Sequence, residues 1–166
     1  SRLPDRHGWL QDSILHYLEE ETGHDEWILN DIARAGGDRA AAAASEPSVA
    51  TEAMVAYAYD TVMRRNPIGF FGMVHVLEGT SVALALNAAD RIQASLGLPL
   101  NAFTYLRSHG ELDKEHINDL GAILARLTDE EDRRAVVRCA RGIYWLYGNV
   151  FRGLEPAATA LQRKSA

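Results

Sequence analysis

Apolar residues recur along the chain at steps of three and four, the period of a helix packed on one face. Trp9, Ile14, Tyr17, Leu18, Trp27, Ile28 and Ile32 trace such a stripe, and the reading is a first helix over Gly8 to Ala35, closed by the glycines at 36 and 37. The stretch 36–47 reads as a linker whose alanine run is either helical or mobile. Pro47 and Ser48 open a second helix running to about Arg65. "NPIGFFG" breaks the chain, with Pro67 suited to a first helical turn. A third helix, Ile68 to Leu96, is apolar nearly all round, which predicts a place in the middle of a bundle. A fourth, Ala102 to Leu127, contains Gly110, read as a kink. Thr128 and Glu131 form a capping box for a last helix to Leu154, ended by Pro156, and 156–166 is a frayed tail. No Asn-Gly or Asp-Gly hairpin and no sustained β-branched alternation occurs. The expectation is all-α: one helical-bundle domain over 1–166.

Composition narrows the classes. The 166 residues suffice for one domain, and a 47% hydrophobic share can fill its core. A net charge of −6, from 17 basic and 23 acidic residues, argues against a surface that tracks nucleic-acid phosphates. No run of about 18 uncharged apolar residues is present, so no membrane span is expected. The opening "SRLPDRHGW" lacks a signal-peptide layout, and the cytoplasm is the default. Cys139, the single cysteine, sits in the apolar "VVRCARGIYWLY" and reads as a buried, inert thiol.

Three places carry polar groups that this pattern does not need. "SHGELDKEH" puts His109, Asp113 and His116 on one stripe of the fourth helix, while Leu112, Ile117, Leu120, Ile123 and Leu124 supply an apolar face beside it. Glu78 stands among Val74, Val76, Leu77, Val82, Leu84 and Leu86; an ionised carboxylate there costs several kcal/mol, on the order seen for unpaired buried charge, unless a cation or partner meets it. Gly72 and Gly79 flank it and suggest close approach of a backbone or ligand. "EEETGH" sets Glu21 three residues and Glu20 four residues before His24. Each signal alone is weak. Together they bring Glu21, His24, Glu78, His109, Asp113 and His116, three carboxylates and three imidazoles. Mixed carboxylate and imidazole ligation suits iron or manganese, and carboxylates can bridge two ions.

At these residues the sequence resembles the haem-oxygenase-like di-iron oxidases and oxygenases, a superfamily sharing its fold with TenA-type proteins, the pyrroloquinoline quinone synthase and haem oxygenases. "EEETGH", "VLEGT" and "HGELDKEH" follow in the family's order. The match spans roughly Tyr17 to Leu120. The departure is at the first glutamate, which some members place where this chain has Tyr17 and others where it has Glu21; Glu20 is the reserve. The resemblance implies two iron ions, O2 as co-substrate, and oxidation of a small organic molecule of amine, amino-acid or fatty-acid type. His75 and Tyr17 are candidates for supporting or reserve ligands, and Phe70, Phe71, Met73, Tyr144, Trp145 and Tyr147 for a pocket wall. Homodimer formation is compatible with the fold. "FGMVHVLEGTS" also resembles haem oxygenases, for which His7 or His16 would be the axial ligand. A TenA-like hydrolase would use Cys139, and a non-catalytic binding protein of the same fold is the remaining alternative.

Overall fold

The computed structural model describes residues 3–154; the expected tail at 156–166 and the end at Pro156 lie outside them. Every regular element among the described residues is a helix. They are α1 (Gln11–Glu21), α2 (His24–Arg34), α3 (Arg39–Ala43), α4 (Val49–Arg64), α5 (Phe70–Leu96), α6 (Thr104–Arg126) and α7 (Glu130–Arg152). Three 3-10 turns, Asp5–Leu10, Pro67–Gly69 and Leu100–Phe103, lead into α1, α5 and α6.

The helices group into two compact units. The first comprises Leu3–Ser45 and Leu77–Arg126, the second Glu46–Val76 and the described residues from Leu127 onward. In the first unit, the expected single helix over Gly8 to Ala35 is three pieces. Its first turns are 3-10, and it breaks again at Thr22 and Gly23. Thr22 is extended, with ψ 120°, and Gly23 adopts φ +92°, the left-handed region where a Cβ would be strained. The Thr22 hydroxyl donates to the Leu18 carbonyl at 2.6 Å, closing α1. The alanine run is helical as α3, begun by Asp38, which accepts from the amides of Ala40 and Ala41. Ala89, Ala102 and Phe103 form a buried cluster at the far end of α5, with Leu98 and Leu106 against it.

In the second unit, Asn66 organises the entry to α5. Its side-chain oxygen accepts from the Ile68 amide at 3.0 Å, and its amide donates to the buried Asp132 at 2.7 Å. Gly72 is required where α5 meets α7: a Cβ there would collide with the Val136 carbonyl and the Ala140 amide. Close backbone approach, expected near Glu78, is therefore found at Gly72. Gly79 has only the Ile117 Cδ1 nearby, at 3.8 Å. The cap of α7 is Asp129, accepting from the amides of Glu131 and Asp132, and not Thr128 as the capping-box spacing predicted. Asp and Thr both cap well, and adjacent competent caps are not ranked by sequence.

The third expected helix is less enclosed than its composition predicted. Phe71, Val74, Val76, Ala85 and Ala89 are buried, but Leu84, Ile92 and Leu96 are exposed. Pro67–Leu96 is long and apolar enough to cross a membrane by length and composition, a looser test than an uncharged run; 44% of its most apolar window is buried, and the core helix of a protein that never meets a membrane passes the same test. Tyr144 and Trp145 of α7 are exposed rather than core. Cys139 is buried, and burial pushes its thiol pKa up, holding it protonated.

Candidate metal centre

Four segments of the first unit bring their polar side chains together: the end of α1, the start of α2, the middle of α5 and the first half of α6. The stripe on α6 is the buried face. His109 is 6% exposed and Asp113 2%, whereas Leu112, expected on the apolar side, is exposed. α6 is continuous through Gly110. Gly110 allows a close approach: a Cβ there would meet Leu86 Cγ of α5 at 2.7 Å. That close approach seats α6 against the segment bearing Glu78.

Two groups of ligand atoms form, each with its members within 4.8 Å of one another: Glu21, His24 and His109, and Glu21, Glu78 and His116. Glu21 belongs to both. The expected stripe joining Glu21 and His24 along one helix does not exist, because Glu21 is the last residue of α1 and His24 the first of α2. The break at Thr22 and Gly23 nonetheless leaves Glu21 Oε2 3.0 Å from His24 Nδ1. Asp113 is in neither group, but its Oδ1 lies 3.7 Å from His116 Nδ1.

The histidines are held in defined orientations. His109 Nδ1 is 3.1 Å from the Tyr105 carbonyl oxygen, which can only accept, so Nδ1 carries the proton. In the neutral ring Nε2 is then a bare lone pair, 3.1 Å from His24 Nδ1. Tyr105 stacks on His109 with ring centres 4.0 Å apart, and Trp27 stacks on His24 at 4.3 Å. His116 Nδ1 faces Glu78 Oε1 at 3.6 Å, while its Nε2 faces Glu20 Oε2 at 3.3 Å. Glu20 also meets the exposed His16 at 3.4 Å. Glu20, the reserve ligand, is thus placed behind His116 and outside both groups. His75 belongs to the second unit and is exposed.

Electrostatics set this cluster apart. Glu78 is 5% exposed and neither of its oxygens meets hydrogen-bond geometry with any partner; Asp113 Oδ1 and His116 Nδ1 are likewise orphaned. Burial, with repulsion from Asp113 and Glu21, outweighs the relief from the Tyr17 hydroxyl, a donor toward Glu78 outside strict hydrogen-bond geometry, and from His116, and pushes the Glu78 carboxyl up to about 7. Burial also raises Asp113 and, with the charges of Glu78 and Glu21, raises the Tyr17 hydroxyl. Glu21 moves the other way, held below the usual carboxylate range by His109 and His24 against its own desolvation. Burial opposes the His109 cation, but Glu21 and the Tyr105 carbonyl outweigh it and the ring's pKa lies above its ordinary value.

This donor set fits a transition-metal ion. Orphaned, buried carboxylate and imidazole atoms converge on common points, and a divalent cation would satisfy them and offset the charge of the carboxylates. Sequence reasoning passed over Trp27, Tyr105 and Ser81, which contribute stacking, the His109 acceptor and a hydrogen bond to Asp113. Tyr105 stands four residues before His109, a spacing that would have flagged it.

Residues 1–148 match a family model described as iron-containing redox enzyme. Neither the curated proteins nor the solved structures compared with the chain gave a match.

Proposed function

This chain belongs to the iron-containing redox enzymes, its all-α architecture is that of the haem-oxygenase-like fold, and we propose that it is a non-haem di-iron oxidase or oxygenase that uses O2 on a small organic substrate. The amine, amino-acid or fatty-acid type of that substrate rests on the resemblance alone. The observation that carries the proposal is the convergence of two ligand groups that share Glu21, one with His24 and His109 and one with Glu78 and His116, where the Glu78 oxygens, His116 Nδ1 and the neighbouring Asp113 Oδ1 are buried without a strict hydrogen-bond partner. On this reading Glu21, His24 and His109 would hold one iron, and Glu21, Glu78 and His116, with Asp113 beside them, would hold the other.

Bound iron would supply one-electron redox chemistry and the activation of O2. The chain's own part is positional. The Tyr105 carbonyl fixes the His109 tautomer so that Nε2 is presented inward. Glu20 behind His116 does the same for Nδ1, from the opposite edge of the ring. Burial of Glu78, His109 and Asp113 keeps bulk water from their ligand atoms. Trp27 and Tyr105 clamp the two stacked imidazoles and limit their rotation.

The test is an iron count on protein purified without oxygen and supplied with ferrous ion. About two irons per chain are expected on the di-iron reading, lost in Glu78→Ala and in His116→Ala. Binding of haem with a Soret band and no free iron would support the haem-oxygenase reading instead. Neither metal nor haem would leave a binding protein of this fold.

A further inference from the structure

Asp31 lies on α2 seven residues beyond His24, two turns along the same helix. It is 8% exposed, and it is fully engaged. The Thr104 hydroxyl donates to Oδ1 at 2.5 Å and the Tyr105 amide donates to Oδ2 at 2.8 Å. Arg34 Nη1 donates to Oδ1 at 3.2 Å and reaches the Asn101 carbonyl at 3.2 Å and Thr104 Oγ1 at 3.3 Å. Asp31 is therefore a capping carboxylate for the first turn of α6, supplied by another helix.

Tyr105 connects this cap to the metal centre. Its N–H is held by Asp31 and its C=O accepts from His109 Nδ1. His109 Nε2 then returns to His24, on the helix that carries Asp31. The loop is closed: α2, Asp31, the Tyr105 residue, His109, His24, α2. Each link is a contact of 3.1 Å or less, and the last shares His24 Nδ1 with Glu21 Oε2. Rotation or fraying of the first turn of α6 would withdraw the carbonyl that holds the His109 proton.

We propose that Asp31 is a positioning residue which, through Tyr105, fixes the tautomer and ring orientation of His109, so that Nε2 is the nitrogen turned to His24. Its relevance to metal binding rests on the function proposed above; the tautomer itself does not. An unconstrained neutral imidazole carries its proton mainly on Nε2, and a hydrogen bond to the other nitrogen reverses that preference. The His109 tautomer is thus a direct readout of the loop.

The experiment is a long-range nitrogen–proton spectrum of imidazole-labelled, metal-free protein, at a pH where His109 is neutral, with His109→Asn identifying its signals. The wild type should give the Nδ1–H pattern. Asp31→Ala should move His109 to Nε2–H or to an exchanging mixture, and Asp31→Asn, which retains one acceptor oxygen and the side-chain shape, should give the mixture. Should Asp31→Ala not fold, Asp31→Asn decides. Asp132→Asn, a buried aspartate lost from the second unit, should reduce stability and leave the tautomer unchanged. Folded Asp31 variants that keep the wild-type pattern, or a wild type already on Nε2–H, would overturn the proposal. A parallel Co2+ titration should show affinity falling roughly tenfold in Asp31→Asn, the low end for loss of a group that orients a ligand. No Co2+ binding by the wild type, together with the tautomer change, would sink the metal reading and leave the role of Asp31 standing.

Discussion

Asp132 in the second unit and Glu78 in the first are both buried acids, 0% and 5% exposed. Asp132 accepts from Asn66, and the pair fixes the entry to α5. Asp31, also buried, has three donors around it. Glu78 has only the Tyr17 hydroxyl as a donor to relieve it, outside strict hydrogen-bond geometry, and Asp113 Oδ1 has no hydrogen-bond partner. An acid that serves the fold arrives with its donors, because leaving them out costs about 1–3 kcal/mol per group and more for a charge. An acid that serves a cation is left open. Burial alone separates neither case; the partner account does.

The sharpest way to break this comparison is to remove the open charge. In the folded protein Glu78 titrates near 7, against 4.5 for an unperturbed glutamate. The unfolded chain therefore ionises first as pH rises, and between those values the folded state holds the extra proton. Stability from this group is complete below about 4.5 and is lost as pH rises through about 7. Metal-free Glu78→Gln should consequently gain on the wild type by roughly 2–3 kcal/mol across that window. Urea unfolding of both proteins at several pH values measures it. Glu21, whose lowered pKa adds stability above its unfolded pKa and loses it as pH falls, contributes with the opposite sign in both proteins. A difference that stays flat with pH would mean Glu78 is satisfied after all.

Glu20→Gln probes the next layer. If Glu20 orients His116 from behind, metal affinity should fall about 10- to 100-fold while the number of ions bound is unchanged. Loss of one ion would make Glu20 a ligand and Glu21 the supporting residue. Isothermal titration with Fe2+ without oxygen separates affinity from stoichiometry.

The sequence made these roles legible unevenly. α4, α6 and α7 follow from period and chain breaks, with the α7 cap one residue later than its spacing suggested, and the nearness of Glu78 to the histidine stripe was readable from the polar residues that packing did not need. The break in "EEETGH" was not, because one glycine costs only about 1 kcal/mol in a helix and the polar spacing continues through it. Whether Glu20 or Glu21 turns inward depends on that break, so helical spacing could not decide it. Asp31 was invisible for a different reason. Nothing in "WILNDIAR" distinguishes a surface acid from one capping a helix that begins at Thr104. Gly110 was noticed for a bend, and its contact with Leu86 was not foreseen, since close packing and a kink both call for glycine.

The two glycines of α5 carry the comparison to its smallest effect. Gly72, in the second unit, has no room: alanine would strike the Val136 carbonyl and Ala140 amide, backbone atoms that move only with α7. Gly72→Ala should destabilise by about 1–3 kcal/mol, as overpacked cores do. Gly79, next to Glu78, has open space apart from Ile117 at 3.8 Å. Gly79→Ala should gain about 0.5–1 kcal/mol from helix propensity alone, read as a small rise in the unfolding midpoint. That gain would be the measure of a residue no packing constraint requires. A loss in the metal-free protein would instead locate a neighbour that the backbone of Gly79 alone accommodates. A gain without metal that reverses once Fe2+ is added would tie the missing Cβ to the centre itself, and the empty side of α5 beside Glu78 would then be space the bound state uses.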